Sequence, residues 1–186
     1  MSLTYCEYCK SHPEDAFNVP YHDTQYGFPI EDDDLLFERL VFEINQAGLS
    51  WITILKKADN FRKAYHGFKV AKVAKYTEKD RERLLADAGI IRNRLKINAA
   101  IVNAQKVLEL QKEHGSFKNW LDKNHPLTKD EWVKVFKKTF VFTGGEIVNE
   151  FLMSTGYLAG AHEESCPVYH KAAKLKPAWM KKQKGK

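Results

Sequence analysis

The chain has 186 residues, of which 44% are apolar, with three cysteines and a formal net charge of +6. This length can bury the core of one compact domain, so no second domain is required. No apolar run approaches a membrane span, and the N-terminus lacks the basic segment and apolar core of a signal peptide. We therefore expect a soluble, cytoplasmic protein rather than a secreted or membrane-bound one.

The positive charge is concentrated at the C-terminal end. Residues 170–186 contain seven lysines and no acidic residue, whereas residues 1–169 carry 23 basic and 24 acidic side chains. We expect residues 1–169 to form a single domain of one or two helical lobes, followed by a flexible lysine-rich tail. A nearly neutral domain binds nucleic acid only through a local basic patch.

Helical patterns dominate the chain after an irregular, ligand-rich segment at residues 1–30. The longest helix is predicted at 93–113, where apolar residues recur at helical spacing up to His114-Gly115. Residues 139–142 have the composition of a strand but no partner, so the pattern predicts an all-α fold. The other helices are predicted at about 32–47, 50–57, 59–66, 69–75, 77–86, 117–123, 129–138 and 144–154.

The cysteines and two nearby histidines lie toward the ends of the chain. Zn²⁺ is bound tetrahedrally by thiolate and imidazole, and His162 and Cys166, four positions apart, can meet one ion from a turn. Cys6 and Cys9 form another local chelate, and His22 follows them, which makes five candidates for about four places. One ion bound from both ends would hold the termini together. Ordinary buried thiols and surface histidines are the alternative.

Glu43 interrupts an apolar stretch, because Leu40-Val41-Phe42 precede it and Ile44 follows. Burying a carboxylate costs several kcal/mol unless it is paired or hydrogen-bonded. The residue is therefore either part of the polar face of an amphipathic helix or a functional group inside the protein.

A predicted helix-turn-helix hairpin lies at residues 77–113. Its turn contains Gly89, where the backbone can come close to a phosphate, and amides at the start of the next helix can point at that anion. Arg92, Arg94 and Lys96 follow the turn and form the candidate basic patch.

Three segments together resemble the 3-methyladenine DNA glycosylase I family, the zinc-clasped branch of the helix-hairpin-helix DNA glycosylases. The resemblance runs from about Cys6 to Cys166. Its motifs are Tyr21-His22-Asp23-Thr24-Gln25-Tyr26-Gly27, Glu43-Ile44-Asn45-Gln46-Ala47-Gly48-Leu49-Ser50-Trp51-Ile52 and Asp87-Ala88-Gly89-Ile90-Ile91-Arg92-Asn93-Arg94-Leu95-Lys96.

For the base site, the resemblance implies that Glu43 hydrogen-bonds a flipped purine. Aromatic residues matching Tyr21 and Trp51 line the same pocket, and Tyr8 would match a further stacking aromatic. For any one of these rings, plain core packing is the alternative.

For the metal, the resemblance implies one structural Zn²⁺ per chain and no organic cofactor. Cys6 is preferred, because an aromatic residue follows it two positions later, as in the family. The spacing to the Tyr21-His22 motif points instead to Cys9. The expected ligands are Cys6, His22, His162 and Cys166, with Cys9 as the alternative to Cys6.

For DNA, the resemblance implies that the loop Gly48-Leu49-Ser50 enters the base stack where the damaged base has left. The hairpin would contact the backbone through Gly89, Arg92, Arg94 and Lys96. We expect a monomer that binds double-stranded DNA containing alkylated bases, associated with the nucleoid through that DNA.

The implied reaction is hydrolysis of the N-glycosidic bond of 3-methyladenine after base flipping. Superfamily members that remove poorer leaving groups use an aspartate after the hairpin, for which the nearest residue is Glu146, without an assigned role. No lysine matches the nucleophile of bifunctional enzymes, so water is the expected nucleophile. The alternatives are a non-catalytic damaged-DNA-binding protein and a glycosylase of altered base range, suggested by Tyr8, Tyr26 and Glu146.

Overall fold

A computed structural model describes residues 3–181 of the chain. Within this part of the chain the regular structure is helical and contains no strand, which confirms the all-α prediction. Two short 3-10 turns lie at His66–Phe68 and Ala178–Met180. The helices are α1 (Tyr5–Ser11), α2 (Asn18–Thr24), α3 (Asp33–Gln46), α4 (Trp51–Ala64), α5 (Val70–Val73), α6 (Glu78–Ala86), α7 (Arg94–His114), α8 (Phe117–Asn124), α9 (Lys129–Thr139), α10 (Gly145–Ser154) and α11 (Pro167–Lys174).

Side-chain caps explain where several of these helices begin. The Asn93 side chain accepts a hydrogen bond from the Lys96 amide at the start of α7, and Ser116 caps α8 in the same way. Such caps satisfy amides that have no partner within the helix. The last turn of α7 ends at Gly115, whose φ of 84° favours glycine.

Helix α3 lies at the centre of the molecule and packs against α4, α5, α7, α8 and α10. Its residues from Leu36 to Asn45 are all buried, including Glu43. The apolar side chains that are buried in the part of the sequence between Leu36 and Tyr157 form one contiguous core. The central position of α3 therefore places the Glu43 carboxyl group inside the protein.

The N-terminal segment differs from the prediction of irregular chain over residues 1–30. It contains α1 and α2, which pack against each other. A capping box starts α1, because Thr4 caps the Glu7 amide while the Glu7 carboxylate accepts from the Thr4 amide. Helix α4 also runs unbroken through Ala64, where the pattern predicted two helices at 50–57 and 59–66.

Helix α11 spans residue 170, the predicted start of the lysine-rich tail. The chain beyond α11 also packs on the domain: the Trp179 amide donates to the carbonyl of Gly156, and Ala178 contacts the main core. Residues 182–186 of the predicted tail lie outside the described part of the chain, so its flexibility stays a prediction. No helix between residues 3 and 181 has both the length and the apolarity needed to cross a membrane.

Candidate metal centre and base site

Four side chains from the two ends of the chain meet in a buried cluster that could hold a metal ion. One ligand atom from each of Cys6, His22, His162 and Cys166 lies within 4.8 Å of all the others. Three of the separations are 3.4 Å (His22 Nε2 to Cys6 Sγ), 3.7 Å (Cys6 Sγ to His162 Nδ1) and 3.8 Å (Cys166 Sγ to His22 Nε2). Ligands held tetrahedrally at zinc distances are roughly 3.3–3.8 Å apart, so the donor set and these three separations are compatible with a zinc site.

Both imidazoles are oriented by hydrogen bonds on the side away from the cluster. Nδ1 of His22 lies 2.7 Å from the Asp23 carboxylate, and Nε2 of His162 lies 2.7 Å from the Tyr26 carbonyl oxygen. These partners favour a proton on the outer nitrogen and leave the inner nitrogen free to bind a cation. Gly27 permits this close approach, since a Cβ there would lie 2.7 Å from Cβ of Ala161.

Cys6, and not Cys9, belongs to the four-residue cluster. Both thiols are buried on α1. Residues three apart on a helix lie on nearly the same face, so the spacing alone left both cysteines as candidate ligands.

A second group, the acid–aromatic cluster, consists of Tyr21, Tyr26, Glu43 and Trp51. The Tyr21 ring lies 5.0 Å from the Trp51 ring and 5.8 Å from the Tyr26 ring, between centroids. Glu43 is only 4% exposed, and its charge acts on both tyrosines. Trp51 Nε1 is buried and has no hydrogen-bond partner among the described residues. The cluster thus combines aromatic faces, a buried carboxyl group and an unpaired donor.

Two charged residues flank this cluster. Arg39, itself buried, donates a 2.8 Å hydrogen bond to the Tyr21 hydroxyl, and its guanidinium lies 4.9 Å from the centre of that ring. On α10, Glu150 accepts a 3.2 Å hydrogen bond from the Tyr26 hydroxyl. Burial raises the pKa of Glu43 from 4.5 to about 8; Arg39 opposes this rise and Glu150 adds to it.

Comparison with known proteins identifies the family. The model of the methyladenine glycosylase family matches residues 10–134. The chain is 37% identical over 182 residues to DNA-3-methyladenine glycosylase 1 of Escherichia coli, covering 88% of this chain and 97% of that protein. It is 36% identical over 173 residues to DNA-3-methyladenine glycosylase of Haemophilus influenzae, covering 83% and 93%.

This chain belongs to the methyladenine glycosylase family. Its fold also matches a solved structure of 3-methyladenine DNA glycosylase I from Staphylococcus aureus, described as showing the basis of 3-methyladenine recognition. That match has a TM-score of 0.79 and 30% identity, and it covers 89% of this chain and 97% of the other. The predicted helix-hairpin-helix glycosylase fold is thereby confirmed.

Two lysines connect the segments predicted to face DNA, which are the loop at residues 48–50 and the hairpin turn. Lys96 donates to the carbonyl oxygens of Asn45 and Ala47 at 2.8 and 2.7 Å, just before the loop Gly48–Ser50. Lys57 donates to the carbonyl oxygens of residues 88 and 89 in the hairpin turn at 3.1 and 3.3 Å. Leu49 is 42% exposed at the tip of its loop.

Lys96, predicted as a DNA contact, lies inside the protein. It is only 5% exposed, and its ammonium group bonds carbonyls at the end of α3. A cation is favourable at that end of a helix. Arg92 and Arg94 are exposed as predicted, and Arg94 pairs with Glu78 at 3.0 Å. The Gly89 amide donates to Asp87, which closes the turn.

Tyr8, predicted as a further stacking aromatic, lies apart from the acid–aromatic cluster. It stacks on His12 with ring centroids 4.4 Å apart, and its hydroxyl donates to Asp15 at 2.9 Å. The turn of α1 thus directs Tyr8 to its own end of the chain, and no ring contact joins it to Tyr21 or Trp51 within residues 3–181. Glu146, the nearest match to a catalytic aspartate, is exposed and paired with Lys129 at 3.2 Å.

Sequence reasoning missed Arg39 and Glu150. Arg39 precedes Glu43 by one helical turn, so its spacing could have indicated a neighbouring cation. Glu150 lies more than 100 residues from Glu43 in sequence, and no local pattern connects the two.

Proposed function

We propose that the protein removes 3-methyladenine from alkylated DNA by hydrolysing its N-glycosidic bond. The observation that carries this proposal is the buried Glu43 beside Tyr21 and Trp51. Burying a carboxyl group costs several kcal/mol unless it is paired or hydrogen-bonded, so its presence here is better explained by a ligand than by stability, and aromatic faces suit a purine ring. The relatives' names, and the recognition of 3-methyladenine described for the Staphylococcus aureus protein, support the same substrate.

The positive charge of the proposed substrate fits a site that contains a buried carboxyl group. Methylation at N3 gives the purine a positive charge, which makes it a good leaving group before any catalyst acts. Glu43 is the group that would accept hydrogen bonds from the purine edge and balance this charge, while Tyr21 and Trp51 pack on the ring. Burial raises the pKa of Glu43, which favours the protonated carboxyl group in the free protein, and an entering cation favours release of that proton.

Water is the proposed nucleophile. Glu146, the nearest match to the superfamily aspartate, points to solvent and pairs with Lys129, so it has no assigned step. The positive charge on the base supplies most of the leaving-group activation, and electrostatic support from Glu43 adds to it.

DNA binding is proposed for the face formed by the loop Gly48–Ser50 and the hairpin turn. Leu49 would fill the space left by the flipped base, whose unstacking costs a few kcal/mol. Gly89, Arg92 and Arg94 would contact the backbone of double-stranded DNA. An enzyme with this substrate acts inside the cell as a monomer bound to the nucleoid.

A structural Zn²⁺ is proposed for the cluster of Cys6, His22, His162 and Cys166. The fit rests on two thiols and two imidazoles whose ligand atoms lie within 4.8 Å of one another, each imidazole oriented by a further hydrogen bond. With four protein ligands, the ion would supply stability rather than chemistry. It would join α1 and α2 to the segment before α11.

The experiment is to incubate the protein with duplex DNA treated with a methylating agent and to identify the released bases by chromatography. Release of 3-methyladenine as the main product supports the proposal. Release of several alkylated bases would indicate a broader range. Binding of the DNA without release of any base would indicate a non-catalytic damage-binding protein.

A further inference from the structure

Glu43 has charged neighbours of opposite sign on two different helices. Arg39 is one turn earlier on α3 and is 6% exposed; besides binding the Tyr21 hydroxyl, it attracts the Glu43 carboxylate. Glu150 lies on α10, which packs against α3. Its negative charge acts on Glu43, Tyr21 and Tyr26 alike.

The Tyr26 hydroxyl orients the Glu150 carboxylate. This hydroxyl donates to the Glu150 carboxylate at 3.2 Å, and Tyr26 packs against Tyr21. Burial raises the pKa of Glu150, and the hydrogen bond from Tyr26 opposes that rise. Other charges near Glu150 are Glu146 and Lys129, which neutralise each other at the surface.

We propose that Arg39 and Glu150 are positioning residues of the base site, which act on a bound purine through Glu43. This inference rests on the proposed function. Arg39 favours the ionised form of Glu43 and Glu150 favours the protonated form. The free site thus avoids a buried uncompensated charge, and a cationic purine entering it displaces the proton.

Two variants with opposite expected effects test this inference. The ligand is the 9-methyl derivative of 3-methyladenine, which carries a permanent positive charge and lacks a bond to cleave. Its affinity and the number of protons released on binding are measured by calorimetry between about pH 5.5 and pH 9.5. For the unchanged protein, affinity should rise with pH and level off near pH 8, with close to one proton released at pH 7.

Glu150→Gln should lower, by about one unit, the pH above which the affinity becomes constant, and so reduce proton release at pH 7. Arg39→Gln should raise this pH. Arg39→Lys keeps the charge and should return the pH to its value in the unchanged protein. Glu146→Gln, on the same helix but exposed, is the matched control and should leave the profile unchanged.

A purely structural role would weaken binding without moving the profile in opposite directions. The inference is overturned if Glu150→Gln leaves the profile unmoved or shifts it upward, and this variant decides the matter even where Arg39→Gln fails to fold. If the unchanged protein does not bind the cation at any pH, the proposed function fails, and this inference fails with it.

Discussion

Replacing Glu43 by glutamine should stabilise the free protein at neutral and alkaline pH. The carboxyl group is buried in α3, and its pKa rises from 4.5 to about 8, first because of burial and then because of Glu150. The folded protein therefore binds this proton more tightly than the unfolded chain. The resulting stability is fully present below pH 4.5 and is lost as the pH rises through about 8.

The size of the effect follows from the separation of the two pKa values. Each pH unit above 4.5 lowers the free energy of unfolding by up to about 1.4 kcal/mol, so the upper limit of this loss at pH 7.5 is about 4 kcal/mol. Water entry and side-chain movement reduce the cost of a buried charge, so we expect Glu43→Gln to gain about 1–3 kcal/mol at that pH.

The assay is urea unfolding of both proteins at several pH values from about 5 to 9. The stability difference should be small near pH 5, grow with pH and become constant above about pH 8. Glu146→Gln provides the control, because its exposed side chain should give a difference independent of pH. A Glu43→Gln protein that is less stable than the unchanged protein at pH 7.5, or a difference that does not vary with pH, would refute the reasoning.

Four further predictions concern the metal and the DNA-binding face. The purified protein should contain about one equivalent of zinc, and His162→Ala should lower its stability by more than about 3 kcal/mol while changing activity per folded molecule little; an equally stable variant would contradict this. Leu49→Ala should weaken binding to abasic DNA by about 1–2 kcal/mol in a titration, without affecting undamaged DNA. Arg92→Ala should weaken binding to damaged and undamaged DNA alike and reduce the salt slope by about one, so a selective loss would count against it. Lys96→Met should cost about 1–3 kcal/mol in urea unfolding, because carbonyls at the end of α3 lose their partner, and should leave the salt slope unchanged.

Local patterns predicted much of the helical fold. Helix α7 was predicted within a residue at each end, because apolar spacing, Asn93 as a cap and Gly115 as a terminator all agree. The short helices α1 and α2 were missed, since their ligand-forming residues suggested irregular chain. They are stabilised by packing and by the capping box at Thr4 rather than by a long apolar period.

The candidate site could be predicted only in part. Spacing and resemblance indicated Glu43 and the metal ligands, but Glu150 depends on the packing of α10 against α3, which no local spacing encodes. The position of Lys96 could not be predicted for a related reason. A lysine after a hairpin resembles a phosphate contact in sequence, whereas the fold turns its side chain toward the end of α3.

The most direct test of the account is the rate at which 3-methyladenine is released from methylated duplex DNA under single-turnover conditions by the unchanged protein and by Glu43→Gln. The variant exchanges a charged acceptor for a neutral amide, and the lost charge-assisted hydrogen bond is on the order of 1.5–3 kcal/mol. Release should therefore be roughly ten- to hundredfold slower, although the variant is folded and at least as stable. Equal rates for the two proteins, or no release of 3-methyladenine by the unchanged protein, would contradict the assignment of Glu43 as the residue that reads the base.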